Sequence, residues 1–391
     1  MIIYEPGDDS FMLSKHVQKH AKGRVLDIGT GSGIQAVTAA RLSRVKSVIG
    51  VDIQKSVIQH CKSAVKGKEA KKIRFKQSDL FSNIKGSFDT ITFNPPYLPG
   101  DVKLKDITVD GGKKGYEVLA RFFSRVSEYL NPEGIILIVF SSLTNKEKVN
   151  EIIENNMLEY TELDKKGIFM EELYVYLVKK SDILQMLEKN GIKNIIRFAK
   201  GHRGIILTGT HGKKKIAVKM QRKDIGAYGT VEREANILVF LNKHHIGPKI
   251  IFSAKDMFVY KFIEGIFIPE FLEKASKKPS KKDLIKVIVD VLKQCYKLDQ
   301  LGINKEEMHH PYKHIVVTKA KKPVMLDFER AKKTENPHNV TQFCQYLTSS
   351  VFNSLTLNRL GIDADKLRNL AKEYKKDTSL KNFRNILQMI A

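Results

Sequence analysis

Asp27-Ile28-Gly29-Thr30-Gly31-Ser32-Gly33 closes an apolar run, Arg24-Val25-Leu26-Asp27-Ile28, and passes directly into Ile34-Gln35-Ala36-Val37. A buried strand that turns through glycines into a helix lets backbone approach a ligand closely, because glycine tolerates positive φ and carries no Cβ. A dinucleotide-binding turn would place another glycine three residues after Gly31, where Ile34 stands, so the spacing argues against NAD or FAD. Outward from this turn, further β-branched runs lie at residues 47–52, 72–75, 88–93, 134–139 and 173–178, with helical patterns between most of them. That alternation predicts an α/β domain built on a doubly wound parallel sheet.

The ends of these runs are acidic. Asp27 suits an ammonium group on a ligand, Asp52 a bidentate hold on ribose hydroxyls, and Ser78-Asp79-Leu80 an adenine amino group. Directly after the fourth run stands Asn94-Pro95-Pro96-Tyr97. Two prolines remove two backbone donors and fix φ, which leaves local carbonyls free as acceptors. The Asn94 side-chain oxygen and the Pro95 carbonyl can then accept from one NH2 group while Tyr97 stacks on its π system. This pattern suits N-methylation of a planar amide or an aromatic amine.

The whole chain has 391 residues, 42% of them apolar, so two domains are expected. The longest apolar run, near Ile135–Phe140, is far short of the roughly 18 residues of a spanning helix, and the N-terminus carries no secretory signal pattern. A cytoplasmic protein without a membrane segment is expected. Three scattered cysteines, Cys61, Cys295 and Cys344, supply neither a disulfide framework nor a paired-cysteine zinc site. Lys179-Lys180-Ser181-Asp182 follows the last run of the first half, which puts a domain boundary near 180. Residues 1–180 hold 28 Lys+Arg against 22 Asp+Glu, whereas 181–391 hold 40 against 21, so most of the net charge of +25 belongs to the second half. A basic domain of this kind points to RNA, ribosomes or phosphate-bearing ligands. Its strand-like pieces come first, at residues 204–207, 216–219 and 257–263, and mostly helical sequence follows, which is an α+β pattern.

Residues 1–180 resemble the HemK-type S-adenosylmethionine-dependent methyltransferases, in particular the eukaryotic and archaeal branch that methylates the glutamine of the Gly-Gly-Gln motif in class I release factors. The resemblance rests on residues 27–33, on Asn94-Pro95-Pro96-Tyr97, on the opening Tyr4-Glu5-Pro6-Gly7-Asp8-Asp9-Ser10-Phe11 and on Gly111-Gly112-Lys113-Lys114-Gly115. It implies a Rossmann-like seven-stranded domain whose S-adenosyl-L-methionine pocket is lined by Glu5, Ser10, Asp27, Gly29, Gly31, Gly33, Asp52, Asp79 and Leu80. Asn94, Pro95, Pro96 and Tyr97 would be the catalytic motif. It implies a release factor as substrate, and a small zinc-binding activator covering an apolar sheet edge, with the strand around Ile73 and Phe75 as that edge. Because Tyr4 lies so near the start, no N-terminal substrate-binding bundle of the bacterial type is expected. The rival reading is nucleic-acid adenine N6-methylation, with the basic second half gripping RNA or DNA.

The second half resembles small archaeal atypical Ser/Thr protein kinases related to the RIO family. Lys219 ends a strand, Glu234 lies on the next helix, Gly201 and Gly204 flank a turn upstream, and Leu326-Asp327-Phe328-Glu329 follows a short apolar run. The resemblance implies ATP with Mg2+, held by Gly201, Gly204, Lys219 and Glu234, with Asp327 as metal ligand. Lys305-Glu306-Glu307 stands where such kinases have His-Arg-Asp, the asparagine expected five residues later is absent, and Glu329 replaces a glycine. Glu307 is the candidate base and Lys313 a candidate phosphate neutraliser; ATP binding or hydrolysis without phosphoryl transfer is the alternative.

Overall fold

The computed structural model describes residues 5–98, 111–168, 171–200, 204–221, 229–274, 280–349, 357–358 and 360–390. They divide into two compact units, Met1–Arg197 and Phe198–Ala391, so the boundary expected near 180 falls by packing at Arg197/Phe198.

In the first unit, the helix α1 (Asp8–His20) leads into β1 (Gly23–Ile28), α2 (Ile34–Ala40), β2 (Val45–Asp52), α3 (Lys55–Ala64), β3 (Ile73–Gln77) and β4 (Phe88–Phe93). There follow α4 (Glu117–Val126), β5 (Leu130–Ser141), α5 (Lys146–Asn155), β6 (Leu158–Ile168), β7 (Glu171–Lys180) and α6 (Asp182–Lys189). Seven strands form one sheet in the order β3-β2-β1-β4-β5-β7-β6. The first five pair in parallel, and β7 pairs antiparallel with both β5 and β6. The doubly wound parallel sheet expected from the sequence is thus seven-stranded and mostly parallel, with β7 the antiparallel exception. Strand periodicity of two explains why both faces are buried. Along β5, Ile136, Ile138 and Phe140 join the core formed with α4 and α5, while Leu137 and Val139 join the core formed with α1, α2 and α3. Helix α6 belongs to this unit, with Leu184 buried in the first of those cores and Lys180 Nζ 2.6 Å from Glu188.

β8 (Ile192–Lys200) carries the chain into the second unit, where β9 (Gly204–His211), β10 (Lys214–Gln221), α7 (Thr230–Asn242), β11 (Ile250–Ala254) and β12 (Met257–Lys261) follow. Their sheet has the order β11-β12-β10-β9-β8, with antiparallel pairing of β9–β10, β10–β12 and β11–β12. Then come β13 (Gly265–Phe267), α8 (Ile268–Lys274), the long α9 (Lys281–Gln300), β14 (Ile303–Asn304), β15 (Ile315–Thr318), β16 (Pro323–Met325) and β17 (Lys332–Lys333). Helices α10 (Asn339–Leu347), α11 (Ala364–Lys376) and α12 (Leu380–Ile390) end the chain. α9 buries Leu284, Val287, Ile288, Val291, Leu292, Cys295 and Leu298, a spacing of three and four that keeps one helix face in the core. The same core takes in Phe258 of β12, Leu238 of α7, Met325 and Phe328. All three cysteines are buried and unpaired.

Candidate active site

β1, β2 and β4 run in parallel at the middle of the first sheet, so their C-terminal ends converge on one cleft, as expected of an open α/β sheet. The turn after β1 is made by Gly29, Gly31 and Gly33 at φ of 61°, 49° and 85°, values that favour glycine. The cleft has a volume of about 580 Å3; Ser10, Asp27, Gly29, Gly31, Asp52, Asp79 and Leu80 line it, as do Asn94, Pro95, Pro96 and Tyr97. Gly33 caps α2 and packs toward Cys61 and Phe75, and Glu5 is exposed; neither is among the lining residues.

Asp27 is buried and accepts from the hydroxyls of Thr30 at 2.6 Å and Thr92 at 2.7 Å. Burial pushes its carboxyl up to about 6, against the pull of those two hydroxyls. Asp52 accepts from the amides of Gly31 at 3.2 Å and Gln54 at 3.0 Å, and burial raises it too. Asp79 forms an exposed ion pair with Arg121 at 2.6 Å.

At the other end, Asn94 follows β4. Its Nδ2 donates to Asp9 Oδ2 at 3.1 Å and to Ser10 Oγ at 3.3 Å, while its Oδ1 is buried without a hydrogen-bond partner among the described residues. Tyr97 OH donates to the same Asp9 oxygen at 3.1 Å. The loop behind is fixed by Thr144 Oγ1 donating to the Tyr97 carbonyl at 3.0 Å and by the Gly111 amide donating to the Leu98 carbonyl at 2.9 Å. Gly111 is a glycine by necessity: a Cβ there would stand 2.4 Å from the Gly115 carbonyl oxygen and 2.7 Å from that of Pro96. An unsatisfied buried acceptor is rare, and here it belongs to a residue that lines a cleft of ligand size.

The model of the methyltransferase small domain family matches residues 7–170. A protein of Methanocaldococcus jannaschii named as a protein N5-glutamine methyltransferase is 39% identical over 156 residues, covering 38% of this chain and 78% of that protein. The chain belongs to the HemK-type S-adenosylmethionine-dependent methyltransferases. It is also 31% identical to the release factor glutamine methyltransferase of Haemophilus influenzae, over 36% of this chain and 53% of that relative, so it spans about half the length of that protein. Among solved structures it is similar to the E. cuniculi Mtq2–Trm112 complex, described as responsible for methylation of the eRF1 translation termination factor, at 25% identity and a TM-score of 0.38, over 46% of this chain and 100% of that one.

Beyond the methyltransferase unit, a second group of charged side chains gathers in residues 198–391. Lys219 Nζ of β10 lies 2.7 Å from Glu234 of α7, 2.9 Å from Asp327 and 3.5 Å from Glu329. Glu234 also accepts from the Phe328 amide at 3.0 Å, which pins the Asp327 segment to α7. Burial alone would lower Lys219, but Glu234 and Asp327 outweigh it and hold the ammonium protonated. Burial would likewise raise Asp327, but Lys219 outweighs it and holds the carboxyl below its ordinary range. Glu234, Asp327 and Glu329 present oxygens within 4.8 Å of one another, a donor set suited to a hard divalent cation. Gly204 packs against the Met220 carbonyl, Lys313 is exposed, and Gly201 lies outside the described residues.

Glu307 is bound by Arg330 at 2.8 Å and faces His314 Nε2 at 3.4 Å; the other His314 nitrogen lies 3.8 Å from Asp327. Glu306, Glu307 and Asp327 all take left-handed backbone conformations, at φ of 62°, 56° and 59°, a cost that non-glycine residues bear chiefly at functional sites. Two site residues escape the sequence reading. Asp9 was legible only as part of a motif, and His314, immediately before β15, lies between Glu307 and Asp327 although the loop reads as merely lacking an asparagine.

Proposed function

We propose that the first unit methylates the side-chain amide nitrogen of the glutamine in the Gly-Gly-Gln motif of a class I peptide chain release factor. The observation that carries this reading is the buried Oδ1 of Asn94, a residue of the cleft, which has no hydrogen-bond partner among the described residues. An amide NH2 is the group that such an acceptor lacks, and the relatives named as glutamine methyltransferases support that acceptor. Bound S-adenosylmethionine supplies an electrophilic methyl group on a sulfonium. Asp27 holds its ammonium group, Asp52 its ribose hydroxyls, and Asp79 and Leu80 its adenine, with Ser10, Gly29 and Gly31 shaping the pocket. Asn94 Oδ1 and the Pro95 carbonyl accept from the substrate NH2, Pro96 stiffens the loop, and Tyr97 stacks on the amide plane. The enzyme's contribution is thus positioning plus stabilisation of charge developing on nitrogen, with no covalent intermediate. Incubation of the full chain and labelled methyl donor with recombinant release factor, total tRNA or DNA tests it. Label is expected in the release factor; label in nucleic acid alone would replace this reading with adenine N6-methylation.

The second unit is proposed to bind ATP with Mg2+. The Lys219–Glu234 ion pair supports this; nucleotide phosphate would replace Asp327 at Lys219, and Asp327 would then turn to the metal. Glu307 would orient an acceptor hydroxyl if phosphoryl transfer occurs. The basic excess of residues 181–391 supports RNA or ribosome contact.

A small activator subunit is proposed on β3. That strand lies at the sheet edge beside a groove of about 540 Å3, while Ile73 and Phe75 are themselves buried in the unit's own core, so the groove and the strand's open edge support this rather than exposed side chains. Full activity of the chain alone would refute such a requirement.

A further inference from the structure

The amide of Asn94 has two ends of nearly equal shape and opposite chemistry. Only with Oδ1 toward the methyl acceptor does it accept a hydrogen bond; turned over, it would present two N–H donors to the acceptor's own NH2 and repel it. Nothing in Asn94 itself chooses between these orientations. The choice is made by a residue distant in sequence. Asp9 sits in the first turn of α1, is 4% exposed, and offers only carboxylate oxygens, which accept. Asp9 Oδ2 takes Asn94 Nδ2 at 3.1 Å, and Asp9 Oδ1 takes the amide of Ser10. Flipping Asn94 would press its carbonyl oxygen against this carboxylate, so one orientation is enforced by charge. The same Oδ2 receives Tyr97 OH at 3.1 Å, which ties the aromatic face to the acceptor oxygen. Asp9 is itself well anchored: its helix buries Met12, Leu13 and Val17 in the core, and Gln35 of α2 donates to the Ser10 carbonyl at 2.8 Å. A carboxylate behind the Asn94 amide also polarises it, placing more negative charge on Oδ1 where positive charge develops on the substrate nitrogen.

We propose that Asp9 is a positioning residue: it holds the Asn94 amide with Oδ1 toward the methyl acceptor, ties Tyr97 to it, and so sets turnover without touching the reacting atoms. This rests on the proposed role of Asn94, and the variants separate the two. With the full chain, labelled donor and recombinant release factor, Asp9→Ala is expected to lower kcat ~10- to 100-fold, as expected when an orienting contact is lost. Its dissociation constant for S-adenosylmethionine should change far less than kcat, because Ser10 of the donor pocket loses the Asp9 contact but keeps the Gln35 hydrogen bond to its carbonyl. Asp9→Asn, which offers Asn94 an amide oxygen but no charge, should recover part of the loss. Asp9→Ala added to Asn94→Ala should cost clearly less than Asp9→Ala costs alone, since only the Tyr97 contact is then left to lose.

A readout independent of substrate is the side-chain NH2 resonance of Asn94 in selectively labelled protein. It should be split by the carboxylate hydrogen bond in the wild type and should move in Asp9→Ala while the amide spectrum of the sheet is retained. An Asp9→Ala enzyme with wild-type kcat, an unmoved Asn94 resonance, or losses that multiply in the double variant would overturn the proposal. An Asn94→Ala enzyme of wild-type rate would instead sink the role of Asn94. If Asp9→Ala melts early, the same comparisons are made with Asp9→Asn.

Discussion

In the proposed donor pocket, Asp27 would serve both ligand and fold. Buried against two threonine hydroxyls, its carboxyl is held up at about 6, so in the free protein its charge is a cost above that pH. The sign follows: a carboxyl raised in the folded state favours folding below its unfolded value, and this contribution is lost as pH rises through about 6. A bound ammonium reverses the balance by favouring the carboxylate. Affinity for S-adenosylmethionine should therefore fall as pH drops from 7.5 to 5.5, with protons released on binding at the lower pH; calorimetry in buffers of different ionisation enthalpy measures both. Asp27→Asn should flatten the pH dependence and weaken binding while leaving the free protein at least as stable at pH 8. A pH-independent affinity in the wild type would show that Asp27 does not face the donor's cation.

At the scale of elements, the loop Asn94–Leu98 and the Gly111–Gly115 segment act as one piece, because the Gly111 amide holds the Leu98 carbonyl and Gly111 abuts that of Pro96. Gly111→Ala puts a methyl group against two backbone carbonyls, neither of which can swing away as a side chain could. Turnover should fall at least ~10-fold with donor affinity within about threefold, since the change moves the acceptor loop and not the turn after β1. A parallel loss of donor binding would mean that the whole cleft had been disturbed.

The elements also explain what the sequence discloses. β1, β2, β4 and β5 are central strands covered on both faces, so they read as continuous apolar runs, and the acidic strand ends with Asn94-Pro95-Pro96-Tyr97 stand where those runs stop. β6 is paired only with β7, and of its eleven residues just Leu158 is fully buried, so its charged sequence carries no alternation to find. The antiparallel placing of β7 depends on that partner and is equally hidden. Asp9 meets Asn94 across 85 residues, and His314 meets Asp327 only once β15 and β16 have paired. Contacts of that range are made by topology, and local pattern does not encode them.

For the whole molecule, the two units have separate cores, and each gathers its own charged site. Two ligand-specific stabilisations should follow. S-adenosylmethionine at about 100 times its dissociation constant should add ~2.7 kcal/mol to the unfolding of one unit, and Mg-ATP should raise a different transition. Lys219→Ala or Asp327→Ala should abolish the ATP shift and leave the other intact, as seen by scanning calorimetry. An unchanged scan with ATP and magnesium or manganese would remove the nucleotide reading of the second unit.

The proposed aiming of an amide nitrogen by Asn94 at the donor's methyl group is measured most directly by peptide mass spectrometry of release factor treated with the full chain and isotopically labelled S-adenosylmethionine. The methyl group should lie on the glutamine of the Gly-Gly-Gln motif, and Asn94→Ala should reduce its transfer at least ~10²-fold with donor binding preserved. Methylation of that glutamine at an undiminished rate by Asn94→Ala, or of tRNA or DNA in place of the glutamine by the wild type, would contradict it.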